Sequence, residues 1–257
     1  MASGHDILFL LSTMKIGGSE RKIVRLANAL QRIGHRVVLA YLNGPATLLS
    51  EVDAAVTVVD LQRTGKFSWR ALRRLRSVIQ ERAVDTVVSV NLYATLYTGL
   101  LSIGLRRRSN VRFIASLNST ELLGKKLRRQ MILYRPLLRR MDLLVFGSEY
   151  QRSLWHRRHL SGNEQRSVVL YNGVDTEHFR IGSVVAQRVA GWPSDRLIVG
   201  AVGMLRPEKA HDHLVRAIAE LRDRGVDAGA VLVGEGPSEP GLRRLVSQLR
   251  VEDRVCF

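Results

Sequence analysis

The chain has 257 residues, which at roughly 100–200 residues per domain allows one large domain or two small ones. Hydrophobic residues make up 46% and charged residues 25%, which excludes a disordered chain, and the single cysteine, Cys256, excludes an internal disulfide or a multi-cysteine metal site. Forty lysines and arginines against 23 aspartates and glutamates leave a net charge of +17, a field that favours phosphorylated substrates, anionic lipid or nucleic acid unless it reflects only an arginine-biased proteome.

The first apolar run, residues 7–11 within a predicted strand at 7–12, is too short for a signal peptide and is soon followed by charge, and no run approaches the roughly 18 apolar residues of a membrane span. The expected location is therefore the cytoplasm. Lys15-Ile16-Gly17-Gly18-Ser19-Glu20 then joins this strand to a helical pattern over 19–33. Two glycines let a second molecule approach the backbone, and a helix start aims free N–H groups at the same spot, so an anion would fit there. The alternative is a plain glycine turn with Ser19 as N-cap.

Strands are predicted at 37–42 and 56–61, a helix at 69–81, a strand at 86–90, a helix at 94–107 and a strand at 112–117. The next helical pattern, 125–140, carries Lys125, Lys126, Arg128, Arg129, Arg135, Arg139 and Arg140 with no acid before Asp142. Leu127, Met131, Tyr134, Leu138 and Met141 fall on one face, and Pro136 is expected to kink or split the helix. Such a helix either lies on an anionic membrane surface or turns its apolar face to the core and its arginines to water. A strand at 143–146, a helix at 151–159 and a strand at 168–171 complete a first domain, residues 1–172.

Asn172-Gly173-Val174-Asp175 breaks the rhythm, and a loose segment runs to Pro193. Alternation restarts with a strand at 197–202, a helix at 212–224, a strand at 230–233 and a helix at 239–249, forming a second domain over 173–257. Residues 255–257 look like the start of another strand, so this domain reads as incomplete. Near-continuous Val/Ile/Leu strands alternating with helices imply an α/β fold with parallel sheets covered on both faces.

Ligands of such sheets bind beyond the carboxyl ends of the strands. There the second domain places Gly203-Met204-Leu205-Arg206-Pro207-Glu208-Lys209, just ahead of a helix. A planar arginine fork, a lysine point charge and a helix N-terminus suit a diphosphate, the alternative being solvated turn residues. No G-x-G-x-x-G stands at the first turn, Glu239 replaces the third glycine after Gly234-Glu235-Gly236, and no P-loop occurs, which argues against hydride transfer and P-loop ATP hydrolysis. His211, His213 and the other histidines have no metal partners in the sequence pattern, and no carboxylate cluster has metal-ligand spacing.

Residues 203–209 resemble the G-R-L-x-P-E-K-G motif of the GT-B glycosyltransferases of the retaining family four. Gly17-Gly18-Ser19-Glu20 resembles their G-G-x-E, Asn172 to Asp175 with Phe179 their N-G-V-D-x-x-x-F, and Val233 to Pro237 their G-x-G-P turn, all in the family's order. The resemblance implies two facing Rossmann-like domains, an acceptor domain first and a nucleotide-sugar domain second. It assigns Arg206, Lys209, Gly17 and Gly18 to the donor diphosphate and Gly234 and Glu235 to the nucleotide. It implies no metal and no cofactor beyond the nucleotide-diphosphate sugar itself, and it names no catalytic group. Asn118 stands about where members often carry a histidine near the sugar; it can hydrogen-bond a hydroxyl but is no general acid. The glutamates that members use to hold ribose and sugar would lie beyond residue 257, as in a member truncated in its C-terminal domain. The implied activity is sugar transfer from a nucleotide-diphosphate donor to a lipid-linked or polysaccharide acceptor with retention of configuration, as in polysaccharide biosynthesis, at the inner face of a membrane if the basic helix binds lipid. One alternative is a non-catalytic GT-B-like binding or partner subunit. Another is a nucleic-acid-binding protein, against which stand the lack of a recognisable module and the scatter of the basic residues.

Overall fold

The computed structural model describes residues 4–105, 110–118, 125–158, 164–177, 179–180 and 189–257, with backbone alone at 125–129 and 164. The chain divides into two compact units, Met1–Val174 and Asp175–Phe257.

The first unit is built on seven strands: β1 (Asp6–Leu11), β2 (Arg36–Tyr41), β3 (Thr57–Asp60), β4 (Thr86–Val90), β5 (Arg112–Leu117), β6 (Leu143–Phe146) and β7 (Ser167–Val169). All pair in parallel, in the order β3-β2-β1-β4-β5-β6-β7. The order reverses at β1/β4, which makes the carboxyl ends of these two strands the switch point where such sheets bind ligands. Both faces of β1 are apolar. Leu8 and Leu10 join the core beneath α2 (Trp69–Glu81), α3 (Asn91–Leu105) and α4 (Lys125–Leu138), while Phe9 and Leu11 pack against α1 (Gly18–Arg32). This explains the continuous apolar strand runs: each residue finds a helix on its own side. Trp155 of α5 (Glu149–Arg157) is buried in the same core as α4.

Local signals set the helix ends. The Ser68 hydroxyl caps α2 by accepting from the Ala71 N–H at 3.2 Å. Helix α3 starts at Asn91, straight off β4, three residues before the pattern predicted. Helix α4 runs through Pro136 to Leu138 and is not split there. Proline removes one i→i−4 bond there, and buried Leu137 and Leu138 anchor the last turn. Leu137 also packs on Gly99 of α3, where a Cβ would lie 2.8 Å from its own Cβ. Met131, Tyr134, Leu138 and Met141 are all buried, so the apolar stripe faces the core; Leu127 and the side chains of Lys125, Lys126, Arg128 and Arg129 lie outside the described residues.

The second unit has β8 (Leu197–Val202), β9 (Ala228–Val233) and β10 (Val255–Cys256) in parallel order β10-β9-β8, with α6 (His211–Asp223) and α7 (Glu239–Leu249). Leu205, Val215, Ile218, Leu232, Leu242 and Val246 form its core. Strand β8 departs from the expectation of two covered faces. Among the described residues it pairs only with β9, and Leu197, Ile198, Val199 and Val202 are exposed there.

Candidate functional site

The loop after β8 is shaped by its backbone partners. Leu205 is fully buried and pins the loop to the core. The Gly203 N–H donates to the Val233 carbonyl, Leu205 N–H to the Glu235 carbonyl, and Ser238 N–H to the Leu205 carbonyl, each at 2.9 Å. Gly234 (φ 147°) and Gly236 lie flat against this loop: a Cβ on them would come within 2.0 Å of the Gly203 oxygen and 2.3 Å of the Leu205 oxygen. These glycines therefore dock one loop against another, a packing role beside the nucleotide contact expected of Gly234; the Glu235 side chain is exposed.

Beyond Leu205 the chain turns outward. Arg206 is extended and opens a 3-10 turn, Pro207–Lys209, and Ala210, in the left-handed region at φ 50°, leads into α6 without a side-chain cap. Arg206 and Lys209 are both exposed, one turn ahead of the uncapped amino end of α6. Arg206 makes a loose pair with Glu208 at 3.8 Å, which water largely screens. Lys209 has no ion pair among the described residues. Asp212 in the first turn of α6 partly offsets the helix dipole. Letter by letter, the arginine of G-R-L-x-P-E-K-G falls on Met204 and its last glycine on Ala210, so Arg206 occupies the variable position and rests on geometry rather than on the motif. The sequence pattern shows His211 only as an isolated histidine. It is only 7% exposed, and its Nδ1 has no hydrogen-bond partner among the described residues.

In the first unit the turn after β1 is anchored by buried Met14. Thr47 ties the turn down, accepting from the Ile16 N–H at 3.1 Å and donating to the Met14 carbonyl at 3.3 Å. The N-cap of α1 is Gly17, not Ser19, and no side chain caps it. Gly17 is extended (φ −165°), a conformation open to any residue, and Gly18 has nothing within 4 Å of where a Cβ would stand. The first N–H groups of α1 thus have no side-chain cap, and the Glu20 carboxylate lies 2.5 Å from where a Cβ on Gly17 would stand. Asn118, at the carboxyl end of β5, donates its backbone N–H to Asn91 Oδ1 at 3.3 Å, and its buried Nδ2 has no partner among the described residues. Asn91 is in the left-handed region (φ 66°) at the end of β4. The sequence reading missed it, although an asparagine directly after a strand is a signal for that conformation. Arg206, Lys209, Gly234 and Glu235 share the second unit, whereas Gly17, Gly18 and Asn118 belong to the first. Among the described residues no group of three or more His, Cys, Asp or Glu side chains is arranged to hold a metal. No helix there is long and apolar enough to cross a membrane.

Parallel sheets flanked by helices, with loops at the carboxyl ends of the strands, define a Rossmann-like α/β protein. Residues 16–178 match the family model described as Glycosyltransferase Family 4, and residues 185–257 match that described as Glycosyl transferases group 1. The chain belongs to glycosyltransferase family 4. It is 26% identical over 249 residues to EpsF of Bacillus subtilis (strain 168), covering 92% of this chain and 63% of that protein. It is 30% identical over 186 residues to the GDP-mannose-dependent alpha-(1-6)-phosphatidylinositol monomannoside mannosyltransferase of Mycolicibacterium smegmatis, covering 72% of this chain and 47% of that one. The crystal structure of Anabaena Alr3699/HepE in complex with UDP and glucose superposes with a TM-score of 0.74 at 20% identity, over 98% of this chain and 69% of the other, and shows that the fold is of GT-B type. The chain thus spans under two thirds of the length of the first two relatives.

Proposed function

We propose that the protein transfers a sugar from a nucleotide-diphosphate donor to a lipid-linked or polysaccharide acceptor, with retention of anomeric configuration. The observation that carries this reading is the basic loop at 203–209. Two exposed cations stand one turn before an uncapped helix, on a backbone that Gly234 and Gly236 hold in place. As the glycosidic bond breaks, negative charge grows on the leaving diphosphate, and cations on a fixed scaffold stabilise it. Arg206 supplies a planar fork and Lys209 a point charge. On the family resemblance, Gly17 and Gly18 offer the free N–H groups of α1 to the donor, and Asn118 Nδ2 donates to a sugar hydroxyl. Gly234 and Glu235 lie beside the nucleotide. The relatives support a nucleotide-sugar donor: HepE was crystallised with UDP and glucose, and the M. smegmatis relative is named for GDP-mannose and a phosphatidylinositol mannoside.

The test is a calorimetric titration with uridine and guanosine diphosphates. Arg206→Ala and Lys209→Ala are each expected to weaken binding by about 1.5–3 kcal/mol, the scale of a hydrogen bond to a charged group. Unchanged affinity in the double variant refutes the site. Binding without release of nucleoside diphosphate from a sugar donor would select the non-catalytic alternative instead.

A further inference from the structure

The loop between β3 and α2, residues 61–68, follows the carboxyl end of β3, and α3 opens directly at the carboxyl end of β4. Strands β2 and β1 separate these two ends, so the loop reaches α3 across the carboxyl edge of the sheet. Its start is held by backbone: Leu61 N–H donates to the Tyr41 carbonyl at 2.9 Å and Arg63 N–H to the Leu42 carbonyl at 2.6 Å. Its end is held by the first turns of α3. The Tyr93 hydroxyl donates to the Lys66 carbonyl, Ser68 N–H donates to the Tyr97 hydroxyl at 3.0 Å, and the Phe67 ring stacks on Tyr97 with centroids 5.1 Å apart. Between these anchors the half-buried Arg63 lays its guanidinium over the Tyr93 ring, 5.2 Å from the centroid. Its Nη1 donates to the Gly65 carbonyl of its own loop, and its Nε is buried without a hydrogen-bond partner among the described residues.

A guanidinium that gives up part of its hydration needs an anion in return, and the contact with Tyr93 offsets only part of the cost. Arg254 shows the usual solution: its Nε is also buried without a partner, but its Nη1 meets Asp227 at 2.8 Å. Arg63 has no ion pair among the described residues, and the sequence holds no acid between Asp60 and Glu81. Lys66, exposed on the same loop, adds a second positive charge. A carboxylate would bring a single charge to this pair of cations, whereas a phosphate monoester brings about −1.5 to −2 and offers oxygens to the edge of an arginine fork. We propose that Arg63, with Tyr93 behind it and Lys66 on the same loop, binds a phosphate group of the acceptor. The acceptor is then a lipid phosphate or a sugar phosphate and not a neutral polysaccharide end. Its role as acceptor rests on the transferase reading; the phosphate site stands on the first unit alone.

The experiment is calorimetric titration of the 257-residue protein with glucose 1-phosphate, farnesyl phosphate, glucose and glucuronate. At least one phosphate is expected to bind, the tighter of the two telling a sugar source from a lipid source, while glucose and glucuronate give no measurable heat. Arg63→Gln should weaken the tighter phosphate by about tenfold or more, the scale of a lost hydrogen bond to a charged group. Arg63→Lys keeps the charge without the fork and should recover part of that loss, and Lys66→Gln should weaken binding severalfold. Removing an unpaired, partly buried charge does not destabilise the fold, so Arg63→Gln should melt at the wild-type temperature or above it. Four results overturn the proposal: neither phosphate binds, glucuronate binds as tightly as the phosphates, Arg63→Gln binds like wild type, or Arg63→Gln loses affinity only together with a fall in melting temperature. Arg206→Ala with Lys209→Ala should keep this phosphate binding, and Arg63→Gln should keep the affinity for uridine diphosphate, so failure of either site leaves the other standing.

Discussion

Asp85 shows how one carboxylate can tie strands together. Its Oδ2 accepts from the Asp6 N–H at 3.0 Å and lies 3.2 Å from His5 Nδ1, while Oδ1 accepts from the Thr86 hydroxyl at 2.6 Å. Partial burial pushes the acid up, but the hydrogen bonds from Thr86, Asp6 and His5 outweigh it and hold Asp85 below its ordinary value. A depressed carboxylate contributes stability that is present above its unfolded pKa and lost as pH falls through the folded one. Denaturant midpoints of wild type and Asp85→Asn should therefore differ near neutrality and converge as pH drops through and below the ordinary aspartate range, roughly 4. A gap that stays constant down to pH 2 refutes the coupling. At this scale the sequence exposed chemistry but not company. Asn118 was readable as a sugar-facing candidate, whereas its pairing with Asn91 and the burial of His211 required knowing which strand ends and loops adjoin.

Among elements, the loop after β9 and the loop after β8 behave as one piece. The backbone of Gly236 lies so close to Leu205 that a methyl group would meet three of its backbone atoms within 2.8 Å. Backbone cannot swing aside as a side-chain tip can, so Gly236→Ala should destabilise the second unit by about 1–3 kcal/mol, the usual cost of overpacking. Moving Leu205 also moves Arg206, so diphosphate affinity should fall in the same variant, although no ligand group has been removed. Retained stability and affinity would show that the two loops are independent. In the sequence these glycines read as part of a nucleotide turn. Only the close approach of the two loops reveals them as spacers.

For the molecule as a whole, the two units differ in how well their sheets are covered. The first unit places helices on both faces of seven strands. In the second, β8 presents, among the described residues, an unpaired edge and exposed Leu197, Ile198, Val199 and Val202. An apolar strand with a free edge templates pairing with another chain, and charge on it opposes that pairing. The 257-residue protein is expected to self-associate on warming, and Leu197→Lys with Val202→Lys to suppress light scattering without lowering the melting temperature of the first unit. Equal scattering by both proteins would locate the association elsewhere.

The sequence by itself determined the kind of each element and the class of the fold. Residues 69–81, 86–90, 112–117, 143–146, 197–202 and 239–249 are the spans of α2, β4, β5, β6, β8 and α7. Periodicity and run length are local properties, so they survive without knowledge of the neighbours. The motif letters likewise placed Lys209 and the glycine turns at strand ends. What covers a face was decided only by the tertiary structure. The stripe Met131, Tyr134, Leu138 and Met141 could face either the core or a membrane by its period alone, and packing placed it in the core. That left Ile132 and Leu133 of α4 and Ile103 of α3 exposed. The run Leu197–Val202 read as a strand covered on both faces, and the structure leaves it bare. A helical or strand period states which residues share a side; the partner of that side comes from residues far along the chain, brought near by folding.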